Sequence, residues 1–133
     1  MTIPITNNPL TWPSGSKTWN VCRAIALAEG ANISGSVPDK LNNPGDISDG
    51  SHLYGSETHS GSSVTKFPNK LCGWVWLYLK IQRIARGKSA VYKPDMTWNA
   101  IAMRYAGDSM AWVNNVTKNL GVKPTDIFGD YFK

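Results

Sequence analysis

Only two glutamates occur in this chain of 133 residues, Glu29 and Glu57, and they stand in different surroundings. Glu29 closes the run Arg23-Ala24-Ile25-Ala26-Leu27-Ala28-Glu29-Gly30, which reads as the last turns of a helix stopped by a glycine. The helix dipole favours cations at that end. A carboxylate placed there beside apolar neighbours is expected to hold its proton more tightly than a free glutamate. A carboxyl group that keeps its proton near neutral pH is a general acid. The same position also fits a solvated acid at a helix end, and position alone does not separate the two.

The other acids that could work with it lie downstream, in a stretch rich in Gly, Ser, Asn and Asp: Asp39, Asp46, Asp49 and Glu57. Asp46 follows Asn42-Asn43-Pro44-Gly45, a tight-turn sequence, and could equally cap that turn through its own backbone. Glu57 falls in a segment that reads as a loop, where it is either solvated or able to swing over a site. His59, two residues on, reads as an exposed loop residue more readily than as a base. His52 and His59 are remote from Cys22 and Cys72, so no metal-ligand spacing exists and no cofactor is expected. The two cysteines fall on separate expected helices, and can be small buried thiols or a pair.

The elements that must position these groups follow from periodicity. Residues 1–17 read as an extended arm rich in Pro, Asn, Ser and Thr, anchored by Trp12. A first helix is expected from about Thr18 to Glu29, with Trp19, Cys22, Ile25 and Ala26 on its packed stripe. Glycines at 30, 35, 45, 50, 55 and 61 exclude a long helix over 30–66. The simplest reading there is a small β-lobe made from Asp46–Ser48 and Ser63–Phe67. A long helix from about Lys70 to Arg86 buries Leu71, Trp74, Val75, Tyr78, Ile81 and Ile84 or Ala85. A third helix opens after Pro94, capped by Asp95 or Thr97, and carries Trp98, Ile101, Ala102 and Tyr105. A fourth runs from Ser109 to about Leu120, with Met110, Val113, Val116 and Leu120 as its stripe. A short helical turn follows Thr125-Asp126. Helix, β-rich lobe, then helices is the order of an α+β domain, and 133 residues form one such domain.

Charge and composition limit the partners. The formal net charge is +5, which suits a polyanionic partner. The basic residues are scattered rather than interleaved with exposed aromatics, so a nucleic-acid surface is not expected. Lys80, Arg83, Arg86 and Lys88 gather at a helix end, where they complement the dipole. The first residues lack a basic run followed by an apolar one, so no secretory signal is expected. No apolar stretch approaches the ~20 residues that span a bilayer. Six tryptophans and five tyrosines supply core, and some of them could line a groove that stacks on rings.

Three segments together resemble one superfamily: Ala28-Glu29-Gly30; Asn42-Asn43-Pro44-Gly45-Asp46-Ile47 with the later Lys66-Phe67-Pro68 and Gly73; and Arg104-Tyr105-Ala106-Gly107-Asp108 with Trp112, Asn115 and Val116. In this order they are similar to the lysozyme-like domains of bacterial and phage muramidases and lytic transglycosylases, over residues 18–122. The third is similar to the Tyr-Asn-Ala-Gly box of the transglycosylases, with Ala106 where that box has Asn. The resemblance implies a lysozyme-like fold. It implies cleavage of the β-1,4 bond between N-acetylmuramic acid and N-acetylglucosamine in peptidoglycan, with Glu29 as the acid and Tyr105 lining the cleft.

Glycoside cleavage commonly needs a second carboxylate. Asp46 and Glu57 are the candidates, with Asn43 and His59 as further contacts to substrate. A transglycosylase would instead use Glu29 twice and leave 1,6-anhydro ends. A chitin-like substrate also fits, as does a non-catalytic wall-binding or virion module. The implied place of action is the bacterial wall, reached by phage lysis or another export route, and a monomer is expected.

Overall fold

The computed structural model describes residues 16–107 and 110–133; residues 1–15 of the expected arm, with Trp12, lie outside them, and its last two residues belong to the start of the first helix. The chain forms α1 (Lys17–Glu29), α2 (Val37–Lys40), α3 (Ser51–Tyr54), β1 (Ser56–His59), β2 (Ser62–Thr65), α4 (Lys70–Ala85), α5 (Trp98–Ala106), α6 (Met110–Leu120) and a closing 3-10 helix (Phe128–Phe132). The architecture is α+β, mainly helical with one small antiparallel sheet.

Local chemistry accounts for the helix ends. Ser16, Asn69 and Thr97 cap α1, α4 and α5, each accepting from the backbone N–H three residues on, which satisfies donors the helix cannot. Thr97, not Asp95, is therefore the cap of α5. α1 is buried along Trp19, Val21, Cys22, Ala24, Ile25 and Ala26, a band wider than one stripe. The width follows from its neighbours, since α1 packs against both α6 and α4. Cys22 is buried within this band, Cys72 is half-buried on α4, and both are free thiols.

Packing shifted two of the expected faces. On α4 Leu77 is fully buried together with the expected Ile81 and Ile84, while Leu71 and Val75 are only half-buried. On α6 Trp112 is buried and Met110 is 66% exposed, so Trp112 takes the place expected for Met110. The periodicity of α6 allows either rotation, and its contacts with α1 and α5 choose between them. The C-terminal segment lies along the start of α5, where Trp98 packs on Phe128 at 4.7 Å.

The β-lobe differs from expectation. Asp46–Ser48 is not a strand, although Ile47 O accepts one bond from Thr65 N at 3.0 Å. The partner of β2 is β1, the segment read as a loop, with Glu57 opposite Val64 and His59 opposite Ser62. Ser60 and Gly61 join the strands with φ of 51° and 79°, the left-handed pair that a two-residue type I′ turn needs. Glu57 is thus on a paired strand and not on a swinging loop. β1 is exposed on nearly all its residues, so it lacks the apolar alternation that marks a strand.

Candidate active site

Glu29 is the last residue of α1 because the chain turns sharply after it. Gly30 has φ of 83°, its N–H reaches Leu27 O at 3.2 Å, and Ala31 N–H reaches Ala26 O at 2.9 Å. This Schellman arrangement satisfies the terminal carbonyls and releases Glu29 at the helix mouth. Burial pushes its carboxyl up, the negative charge of Asp46 pushes it further, and it reaches about 7. A hydrogen bond from Trp112 Nε1 to Glu29 Oε2, 3.0 Å long, works in the opposite direction by favouring the anion.

Asp46 is set by the turn before it. Its φ of 53° is left-handed, a region that Asp tolerates better than most side chains. Asn43 is fully buried. Its Nδ2 donates to Ile47 O at 2.7 Å and Thr65 O at 2.9 Å, and its Oδ1 accepts from Ile47 N–H at 3.0 Å. Buried and engaged in this way, Asn43 shapes the turn from inside and has no surface to offer a sugar. α4 passes close beneath, at Gly73, where a Cβ would overlap the carbonyl oxygen of Asn42 and crowd Pro44. Tyr105 Oη donates to Gly45 O at 2.6 Å from the α5 side. Held on three sides, the turn presents Asp46 beside the mouth of α1.

Asp46 is half-buried, and burial raises its carboxyl above the usual aspartate range while the charge of His59 pulls it down. Its Oδ1 is buried and meets no hydrogen-bond donor among the described residues. A buried carboxylate oxygen without a donor is costly, and such groups concentrate where chemistry is done.

Glu29, Asp46, His59, Tyr105, Trp112 and Asn115 share one cleft of about 750 Å³. Tyr105 and Trp112 stack in its wall with centroids 5.0 Å apart and planes at 29°. One ring holds the Asp46 turn and the other holds Glu29, so the stack is a strut between the two acids. Burial, first of all, drives the Tyr105 phenol well above its ordinary value, so it remains a donor.

The chain matches no family model, no curated protein and no solved structure.

The remaining sequence candidates fall at the rim. His59 lines the cleft, and its Nε2 lies 3.2 Å from Glu57 Oε1. Glu57 does not line it; its carboxylate pairs with His59 and, at 3.7 Å, with Lys66. Glu57 can therefore act on the cleft only through His59. Trp112 and Arg104 are cleft residues that residue type and spacing did not single out as site groups. Both belong to the third segment of the resemblance, but the spacing of Trp112 from Tyr105, seven residues, gave it no role. The break between α5 and α6 removes any helical periodicity linking the two. Among the described residues, no cluster of His, Cys, Asp and Glu could hold a metal ion, and no helix is long and apolar enough to cross a membrane.

Proposed function

We propose that this chain is a lysozyme-like glycosidase that cuts the β-1,4 bond between N-acetylmuramic acid and N-acetylglucosamine in bacterial peptidoglycan. One observation carries the reading: a carboxyl raised to about 7, Glu29, shares an open cleft with a second carboxylate, Asp46. Two carboxyl groups in environments that separate their roles are what acid-assisted glycoside cleavage requires. Glu29 protonates the leaving oxygen, and the Trp112 N–H on Oε2 leaves Oε1 to carry that proton. As the proton leaves, the same N–H stabilises the carboxylate that forms. Asp46 faces the sugar that becomes cationic, as its ion partner or as the base for a water. The net charge of +5 suits an anionic wall, and the place of action in this reading is that wall.

A second reading draws on Tyr105, which lines the cleft and belongs to the box similar to that of transglycosylases. In it Glu29 acts first as acid and then as base, and the product ends in a 1,6-anhydro sugar.

Turbidity loss of a peptidoglycan suspension tests the reading. Glu29→Gln is expected to lose activity by about 100-fold or more, the scale of general acid catalysis. A substituted protein that clears the suspension at the wild-type rate removes Glu29 as the acid. If the wild type does not clear it either, a non-catalytic wall-binding role takes precedence. Mass analysis of the released ends separates reducing sugars from anhydro sugars, and so hydrolysis from transglycosylation.

A further inference from the structure

The cleft does not end at Asp46. A smaller depression of about 210 Å³ lies beyond it and shares Asp46, Ser62, Arg104 and Tyr105 with the main cleft, so the two form one groove. The character of the groove changes along its length. The main cleft holds Glu29, whereas Lys80, Tyr92, Ser48 and Ser63 line the smaller end.

Lys80 is fixed there before any ligand arrives. Its side chain is only 16% exposed, and Nζ donates to Asp49 Oδ1 at 2.8 Å. The ammonium also lies 5.1 Å from the centre of the Tyr92 ring and 5.9 Å from that of Tyr105, which holds it against two aromatic faces. Asp49 takes one of its three donors, and Asp49 does not line the depression. Arg104 contributes a second cation from α5, exposed and lining both parts of the groove. Its guanidinium forms no ion pair among the described residues. Two cations, one of them pre-oriented, therefore face a polar depression next to the proposed bond-cleaving acids. A planar carboxylate is the group that an arginine fork and a lysine ammonium recognise.

We infer that the depression walled by Lys80, Tyr92 and Arg104 is a subsite for a carboxylate substituent on the glycan lying in the main cleft, and that it selects acidic over neutral strands. The inference rests on the glycosidase reading and deepens it, because it names the group by which a peptidoglycan strand is told from a chitin-like one. N-acetylmuramic acid carries a carboxylate on its lactyl ether, whereas a chitin strand carries none. The carboxylate accepts from Arg104 and from the remaining Lys80 donors.

Binding to the Glu29→Gln protein, measured by calorimetry, separates this from catalysis. The probes are a tetrasaccharide of alternating N-acetylglucosamine and N-acetylmuramic acid and the same sugar with its carboxyls reduced to alcohols. Reduction is expected to weaken binding about tenfold, the scale of one charge-assisted hydrogen bond. Adding Arg104→Gln, a change at an exposed position, should remove most of that difference, and Lys80→Gln should remove part of it. Equal affinity for the two sugars, no binding of the acidic one, or a difference that survives Arg104→Gln would each overturn the subsite. Cleavage by the wild type is scored separately. An inactive wild type whose Glu29→Gln form still discriminates would refute the glycosidase and leave the carboxylate subsite standing.

Discussion

Trp112 Nε1 donates to Glu29 Oε2 at 3.0 Å, joining residues 83 apart in the chain. The bond ties the start of α6 to the end of α1 at the one point where the buried band of α1 opens into the cleft. It also sets the proton affinity of Glu29, because an N–H donor stabilises only the charged carboxylate well.

Trp112→Phe removes this donor and keeps an aromatic ring against Tyr105. Glu29 then titrates at higher pH, and the alkaline limb of the activity profile should move upward from its position near 7. The smaller ring should also cost about 1–3 kcal/mol of stability, because Trp112 is buried. A pH profile of kcat/KM on peptidoglycan fragments reads the first effect and thermal unfolding the second. An alkaline limb that stays in place or moves down contradicts the assignment of that limb to Glu29.

Asp46→Asn acts on the same limb with the opposite sign. The charge of Asp46 helps to raise Glu29, so its removal lets Glu29 ionise earlier and moves the limb to lower pH. The rate should fall about 100-fold through loss of the carboxylate facing the sugar. Asn accepts the left-handed backbone at this position, so the fold should survive. Glu57→Gln is the contrast: an exposed pair on the hairpin is worth roughly 0–1 kcal/mol, and activity should stay within a few-fold. A rate that falls with Glu57 and not with Asp46 would exchange their roles.

Glu29 should cost stability while it serves catalysis. Its carboxyl titrates near 7 in the folded chain against an ordinary 4.5, so between those values the folded chain binds more protons than the unfolded one. Stability contributed by the protonated group is whole below about pH 4.5 and declines as pH rises through 7. The loss is on the order of 3 kcal/mol. Glu29→Gln, which can still accept from Trp112, should match the wild type near pH 4 and exceed it in Tm at pH 8. A Tm difference that does not grow over that range would sink this account.

Gly73→Ala tests how the turn is held. Alanine is favoured over glycine inside a helix by about 1 kcal/mol, so propensity alone predicts a gain. The added Cβ would overlap Asn42 O, and backbone cannot move aside cheaply as a flexible side chain can. Sterics should win, with a net loss of about 3 kcal/mol or more, read as a lowered Tm. A variant as stable as the wild type would mean that α4 and the Asn42–Asp46 turn are not in close contact.

The helices that carry the site were legible in the sequence because a helix is local. Its hydrogen bonds close over four residues, its caps sit next to it, and Gly30 announces where Glu29 must stand. The same local logic narrowed the cap of α5 to Asp95 or Thr97 and supplied the core positions Trp19, Ile25, Trp98 and Val113. Of the hairpin, the Ser63–Thr65 strand was legible and its partner was not, because Ser56–His59 is exposed and shows no alternation, and its only local sign was the Ser60-Gly61 turn. Asn43 looked like a surface turn residue. Burial and three hydrogen bonds to Ile47 and Thr65 turned it into an internal brace.

By itself the sequence determined that an acid ends the first helix and that an acid follows a tight turn. Only the tertiary structure decided that Asp46, rather than Glu57, shares the cleft with Glu29, and that Tyr105 and Trp112 form the strut between them. The physical reason is distance along the chain. These contacts join separate segments, where no periodicity reaches, and they exist only because α4 and α6 pack against α1 and α5 packs against α6.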